Sequence, residues 1–69
     1  VQYQVLDERR KADKVYTLVC EVETGRIAIQ IYKLVEDGRR LKSFVYPENS
    51  RLFVQSFDDV PRWEENYAI

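Results

Sequence analysis

Sixty-nine residues make room for one small domain, spanning 1–69, and a chain of this size buries only ~60% of its unfolded surface. A hydrophobic content of 45% and an aromatic content of 13% argue against disorder, and a net charge of −1 excludes a general basic field for nucleic acid or anionic membranes. No run approaches the ~20 apolar residues of a membrane span, and the single cysteine, Cys20, excludes an intrachain disulfide, so the expected setting is cytoplasmic with no membrane contact. A start at valine rather than methionine leaves room for a longer parent chain.

In chain order, Val1, Tyr3 and Val5 alternate with Gln2 and Gln4, a period-2 pattern that predicts a short edge strand. From Asp7 to Lys14 every residue but Ala12 is charged, and this mixed-sign run reads as a solvated loop. Three apolar-rich runs follow: Val15–Glu23, Arg26–Glu36 and Arg39–Tyr46. Thr24-Gly25 and Asp37-Gly38 separate them, and Asp-Gly is a strong signal for a two-residue hairpin turn.

Taking both turns as two-residue loops fixes a register. Cys20 then faces Ile29, Leu18 faces Ile31, Leu34 faces Leu41, and Ile31 faces Phe44. One face gathers Tyr16, Leu18, Cys20, Val22, Ile27, Ile29, Ile31, Phe44 and Tyr46, and this is the expected core. The other face carries Val15, Val19, Tyr32, Leu34, Leu41 and Val45 among Thr17, Ala28, Gln30 and Ser43. A face turned wholly to water would be polar. An apolar centre rimmed by Glu21, Glu23, Arg26, Glu36 and Arg39 has the anatomy of an interface, unless an N- or C-terminal segment folds over it.

Beyond Pro47, Leu52, Phe53, Phe57 and Val60 fit a helical stripe that Asn49 or Ser50 can cap. A strand over 51–57 is the competing reading. Pro61 breaks the helix, and Val60, Trp63 and Tyr67 resume a helical spacing with Asp58 or Asp59 as its cap. The expected fold is therefore α+β: an antiparallel meander of three to four strands followed by a C-terminal helix broken near Pro61, with Phe53, Phe57 and Trp63 covering the core.

The chemistry-bearing residues are sparse. Histidine is absent, which removes the usual general base and the commonest metal ligand. Cys20 falls mid-strand on the core face, Ser43, Ser50 and Ser56 have no evident base, and both glycines belong to turns. Glu21 and Glu23 sit two apart on one face, a spacing that reads first as solvated charge, with Arg26 opposite Glu23. A non-enzymatic protein without metal or cofactor is expected.

The run Tyr16–Glu23 followed by Gly25-Arg26-Ile27-Ala28-Ile29 resembles the strand, glycine-arginine turn and apolar strand of PUR repeats. Phe53 to Tyr67 is similar to their closing helix and aromatic tail. PUR repeats are single-stranded nucleic-acid-binding modules related in architecture to the Whirly proteins. The resemblance implies paired repeats that bind unpaired bases on the open sheet face, with Arg26 and Tyr32 as candidates. Glu21 and Glu23 on that face, Pro61 in the helix and the acidic balance depart from the pattern.

Two functions follow as expectations. The first is a protein-binding or homodimerising module using Val15, Val19, Tyr32, Leu34, Leu41 and Val45. The second is single-stranded DNA or RNA binding, with Arg26, Gln30, Tyr32, Arg39 and Ser43 as a small stacking and hydrogen-bonding platform.

Overall fold

The computed structural model describes residues 2–47 and 54–67. Four strands, β1 (Tyr3–Lys11), β2 (Lys14–Glu21), β3 (Ile27–Val35) and β4 (Gly38–Val45), form one antiparallel sheet in the order β1-β2-β3-β4. A 3-10 turn (Phe57–Asp59) and a short helix, α1 (Trp63–Asn66), complete it. The meander is as the sequence indicates; among the described residues the long C-terminal helix is not present. Residues 54–56 are neither helix nor strand, and the proposed start of the helix at 48–53, with Phe53 and its caps Asn49 and Ser50, lies outside the described residues. Ser56 caps the 3-10 turn instead, its Oγ accepting from the Asp58 N–H, while the Asp59 carboxylate accepts from the N–H groups of Gln55 and Ser56. Neither Asp58 nor Asp59 caps α1; Arg62 occupies that position, with φ +54 and no side-chain cap.

The charged run Asp7–Lys14 is not a loop. It completes β1, turns at Ala12-Asp13 with Ala12 at φ +57, and opens β2. Charges suit this strand because it is an edge, where side chains stay solvated while the backbone pairs on one side only.

Both predicted turns are displaced. Glu21 donates to the Arg26 carbonyl (2.8 Å) and Gly25 donates back to the Glu21 carbonyl (2.8 Å), so four residues, 22–25, form the first loop. Leu18 therefore pairs with Ile29 and Tyr16 with Ile31, two residues from the expected register. The second reversal centres on Glu36-Asp37, with Val35 opposite Gly38, and Gly38 takes the positive φ (+136) just after the turn. A shift of two leaves every side chain on its original face, because the strand period is two.

Two bulges do change faces. The β1–β2 register slips at Leu6, and the β3–β4 register slips at Lys42. Past Lys42, Ser43 lies opposite Ile31 and Val45 opposite Ile29, while Phe44 lies opposite Gln30. Ser43 and Val45 are thus on the inner face and Phe44 on the outer, the reverse of the expectation.

The inner face is the core. Tyr16, Leu18, Ile27, Ile29 and Ile31 pack with Phe57, Val60 and Trp63, and Leu6, Cys20, Val45, Val54 and Tyr67 border them. Val22, assigned to the core by alternation, lies in the first loop and is exposed; Phe44 and Tyr46 are likewise not in the cluster. Trp63 stands edge-on to Tyr16 at 5.4 Å and lies 4.3 Å from Phe57, so Phe57 and Trp63 act as one lid. Burying each large apolar side chain contributes ~1.5–3 kcal/mol, which a chain this short needs.

Candidate functional site: the curled outer face

In a flat sheet β1 and β4 would lie about 14 Å apart, three strand spacings. Their side chains nevertheless meet over the outer face. The Tyr3 ring of β1 is 5.7 Å from Phe44 of β4, and Arg39 Nη1 of β4 is 3.3 Å from the Glu8 carboxylate of β1. The sheet is curled, with its outer face concave. On this face Val15, Val19 (1% exposed) and Ala28 are buried.

Two clasps span the concavity. At one end Phe44 stands edge-on to Tyr46 at 5.1 Å, and the Arg26 guanidinium lies 3.8 Å above the Tyr46 ring. The Tyr3 phenol is held above its ordinary pKa by desolvation first, and then by nearby Tyr46 and Glu21. At the other end the Tyr32 hydroxyl donates to Gln30 Oε1 (2.8 Å), and the Arg39 guanidinium lies 5.0 Å over the Tyr32 ring while pairing with Glu8. Beneath this network Thr17 Oγ1 is buried without a hydrogen-bond partner among the described residues.

The expected nucleic-acid residues Arg26, Gln30, Tyr32 and Arg39 do share this face; Ser43 does not, having crossed to the inner side at the Lys42 bulge. Of the expected interface residues, Val15 and Val19 are buried beneath the clasps and Val45 packs against the inner core. Tyr32 and Leu34 remain half-buried, and Leu41, opposite Tyr32, is 50% exposed. Sequence reasoning missed Glu8, Tyr3 and Phe44. The sequence pattern puts Glu8 in a loop, Tyr3 in a short edge strand and Phe44 on the inner face, whereas all three lie on the outer face. Glu8 stands in an unbroken run of charges, so no apolar–polar alternation marks it as part of a strand.

Among the described residues, no group of three or more His, Cys, Asp or Glu gathers as a metal site, and no helix is long and apolar enough to cross a membrane. No protein-family profile, curated protein or solved structure matches the chain.

Proposed function

We propose that this protein is a small non-catalytic binding module that associates with a protein partner, most simply a second copy of itself, through the β3–β4 end of the outer face. The observation that supports this is the exposure of Leu41 beside half-buried Tyr32 and Leu34, with Arg39 and Glu8 at the margin. An apolar centre with a charged rim suits a modest, twofold contact, in which one patch serves both partners. Val15, Val19 and Val45 support the patch from behind and make no contact across it.

Single-stranded nucleic acid is the second reading, favoured by the gathering of Arg26, Gln30, Tyr32 and Arg39 in one concavity. Its cations already stack on tyrosine rings of their own chain, so a base would have to displace them. Light scattering with and without a single-stranded oligonucleotide separates the two. A concentration-dependent dimer that Leu41→Lys splits into folded monomers is the expected result. A wild-type chain that stays monomeric at high micromolar concentration, alone and in its native complexes, overturns it.

A further inference from the structure

The register sets four cations in one row across the inner face. Lys11 of β1 lies opposite Lys14 of β2, Lys14 opposite Lys33 of β3, and Lys33 opposite Arg40 of β4. Directly opposed side chains have Cβ atoms about 5 Å apart, and like charges there repel. One half of the row is engaged: Lys11 Nζ is 3.1 Å from the Glu64 carboxylate, and Lys14 has an interaction of its own. The other half is not. Among the described residues no carboxylate lies within ion-pair distance of Lys33, Arg40 or the bulge residue Lys42.

Beside the open half is a cleft of about 380 Å³. Ile31 and Val45 give it apolar lining, Tyr67 adds an aromatic ring, Ser43 and Asn66 add polar groups, and Lys14 of the row and Lys42 of the bulge line it with cations. This volume falls in the range of small-molecule sites, which combine apolar walls with a few placed polar groups. Two displacements created it: the Lys42 bulge brought Ser43 and Val45 to this face, and α1 carried Asn66 and Tyr67 across from the chain end.

We propose that the cleft and the uncompensated half of the row bind a small anionic ligand with an apolar body, a phosphate or carboxylate on an aryl or alkyl group. Lys42, which lines the cleft, takes the anionic group, with Lys33 and Arg40 of the row adding positive charge beside it, while Ile31, Val45 and Tyr67 take the apolar body. The charge pattern matches one anionic head rather than a polymer, since the row is already neutralised by Glu64 at its β1 end. A bound anion also removes the repulsion between Lys33 and Arg40, so ligand binding and stability are coupled. This site lies on the opposite side of the sheet from the proposed interface and is independent of it.

The test is a titration of the whole chain with phenyl phosphate, phenylacetate and inorganic phosphate, followed by amide NMR shifts and thermal melts. Phenyl phosphate is expected to bind more tightly than inorganic phosphate, with shifts at Lys33, Lys42, Ser43 and Tyr67. The double variant Lys33→Gln/Lys42→Gln is expected to bind roughly tenfold or more weakly, the scale of losing a charge-assisted hydrogen bond. Without ligand at low salt it is expected to melt no lower than the wild type, because it removes like-charge repulsion. The wild-type affinity is expected to fall with added salt, a measurement that needs no variant. Equal binding of phenyl phosphate and inorganic phosphate, shifts confined to Arg26 and Arg39, an unchanged double variant, or a salt-independent affinity would each overturn the proposal.

Discussion

Replacing Asp7 is the sharpest test of how the C-terminal segment is fastened to the sheet. The Asp7 carboxylate accepts hydrogen bonds from the N–H of Phe57 (3.0 Å), fifty residues away, and from the N–H of Glu8 (2.8 Å). Arg9 Nη2 pairs with it at 3.2 Å and also reaches Asp58 at 3.5 Å. The Glu8 contact is local and survives in part in an unfolded chain, whereas the Phe57 contact exists only when the lid is closed. A hydrogen bond to a charged acceptor contributes about 1.5–3 kcal/mol net, so Asp7→Ala should destabilise by that amount. In a domain of this size each kcal/mol shifts the melting temperature by roughly 4–8 °C, which puts the expected drop at about 6–24 °C. Asp7→Asn keeps an acceptor without its charge and should lose about half as much. The sign with pH follows from the carboxyl group's lowered pKa, caused first by the Phe57 N–H, with Glu8 N–H and Arg9 adding to it against desolvation. A group whose folded pKa is lowered stabilises above its unfolded value, ~3.9, and stops doing so as pH falls through the folded value. The gap between wild type and Asp7→Ala should therefore be constant from neutral pH to about pH 5 and close in strong acid. Urea titrations across that range measure it. No gap at neutral pH, or one undiminished in strong acid, would show that the strap is not electrostatic and refute the reasoning.

Two further substitutions probe the lid and the second turn. Trp63→Ala removes the ring between Phe57 and Tyr16 and should cost about 3–5 kcal/mol, leaving a chain this small largely unfolded by far-UV circular dichroism; a urea midpoint equal to the wild type's would contradict the packing described. Gly38→Ala meets nothing within 4 Å, yet its φ of +136 disfavours any side chain, so a loss of roughly 1–3 kcal/mol is expected from backbone strain alone. An unchanged urea midpoint would mean that the turn relaxes freely.

Alternation placed Tyr16, Leu18, Ile27, Ile29 and Ile31 on the core face even though both turns were misplaced, because each error moved the register by an even number of residues. Bulges defeat the same reasoning. Neither Leu6 nor Lys42 carries a glycine or proline to mark an extra residue, so the exchange of Val45 and Phe44 between faces leaves no trace in composition. The Ala12 turn was equally silent, since a left-handed residue is anticipated at glycine or asparagine rather than alanine. At the outer face Arg26, Gln30, Tyr32 and Arg39 come together because their parity was right. Their partners Glu8 and Tyr3 belong to the opposite edge, and only the curl brings them near.

The same two bulges govern how this sheet meets other chains. β1 and β4 are the sheet's only edges among the described residues, and each carries one bulge, at Leu6 and at Lys42. A bulge bends the strand and interrupts the even spacing of its free N–H and C=O groups. Arg9, Arg10 and Lys11 on one edge, and Arg39, Arg40 and Lys42 on the other, add charge that a docking strand would have to desolvate. Strand-by-strand growth into a fibril, and recruitment of a peptide as a fifth strand, are both disfavoured at either margin. The kinks that exchange residues between faces thus also leave the faces, rather than the edges, as the ground on which another molecule can settle.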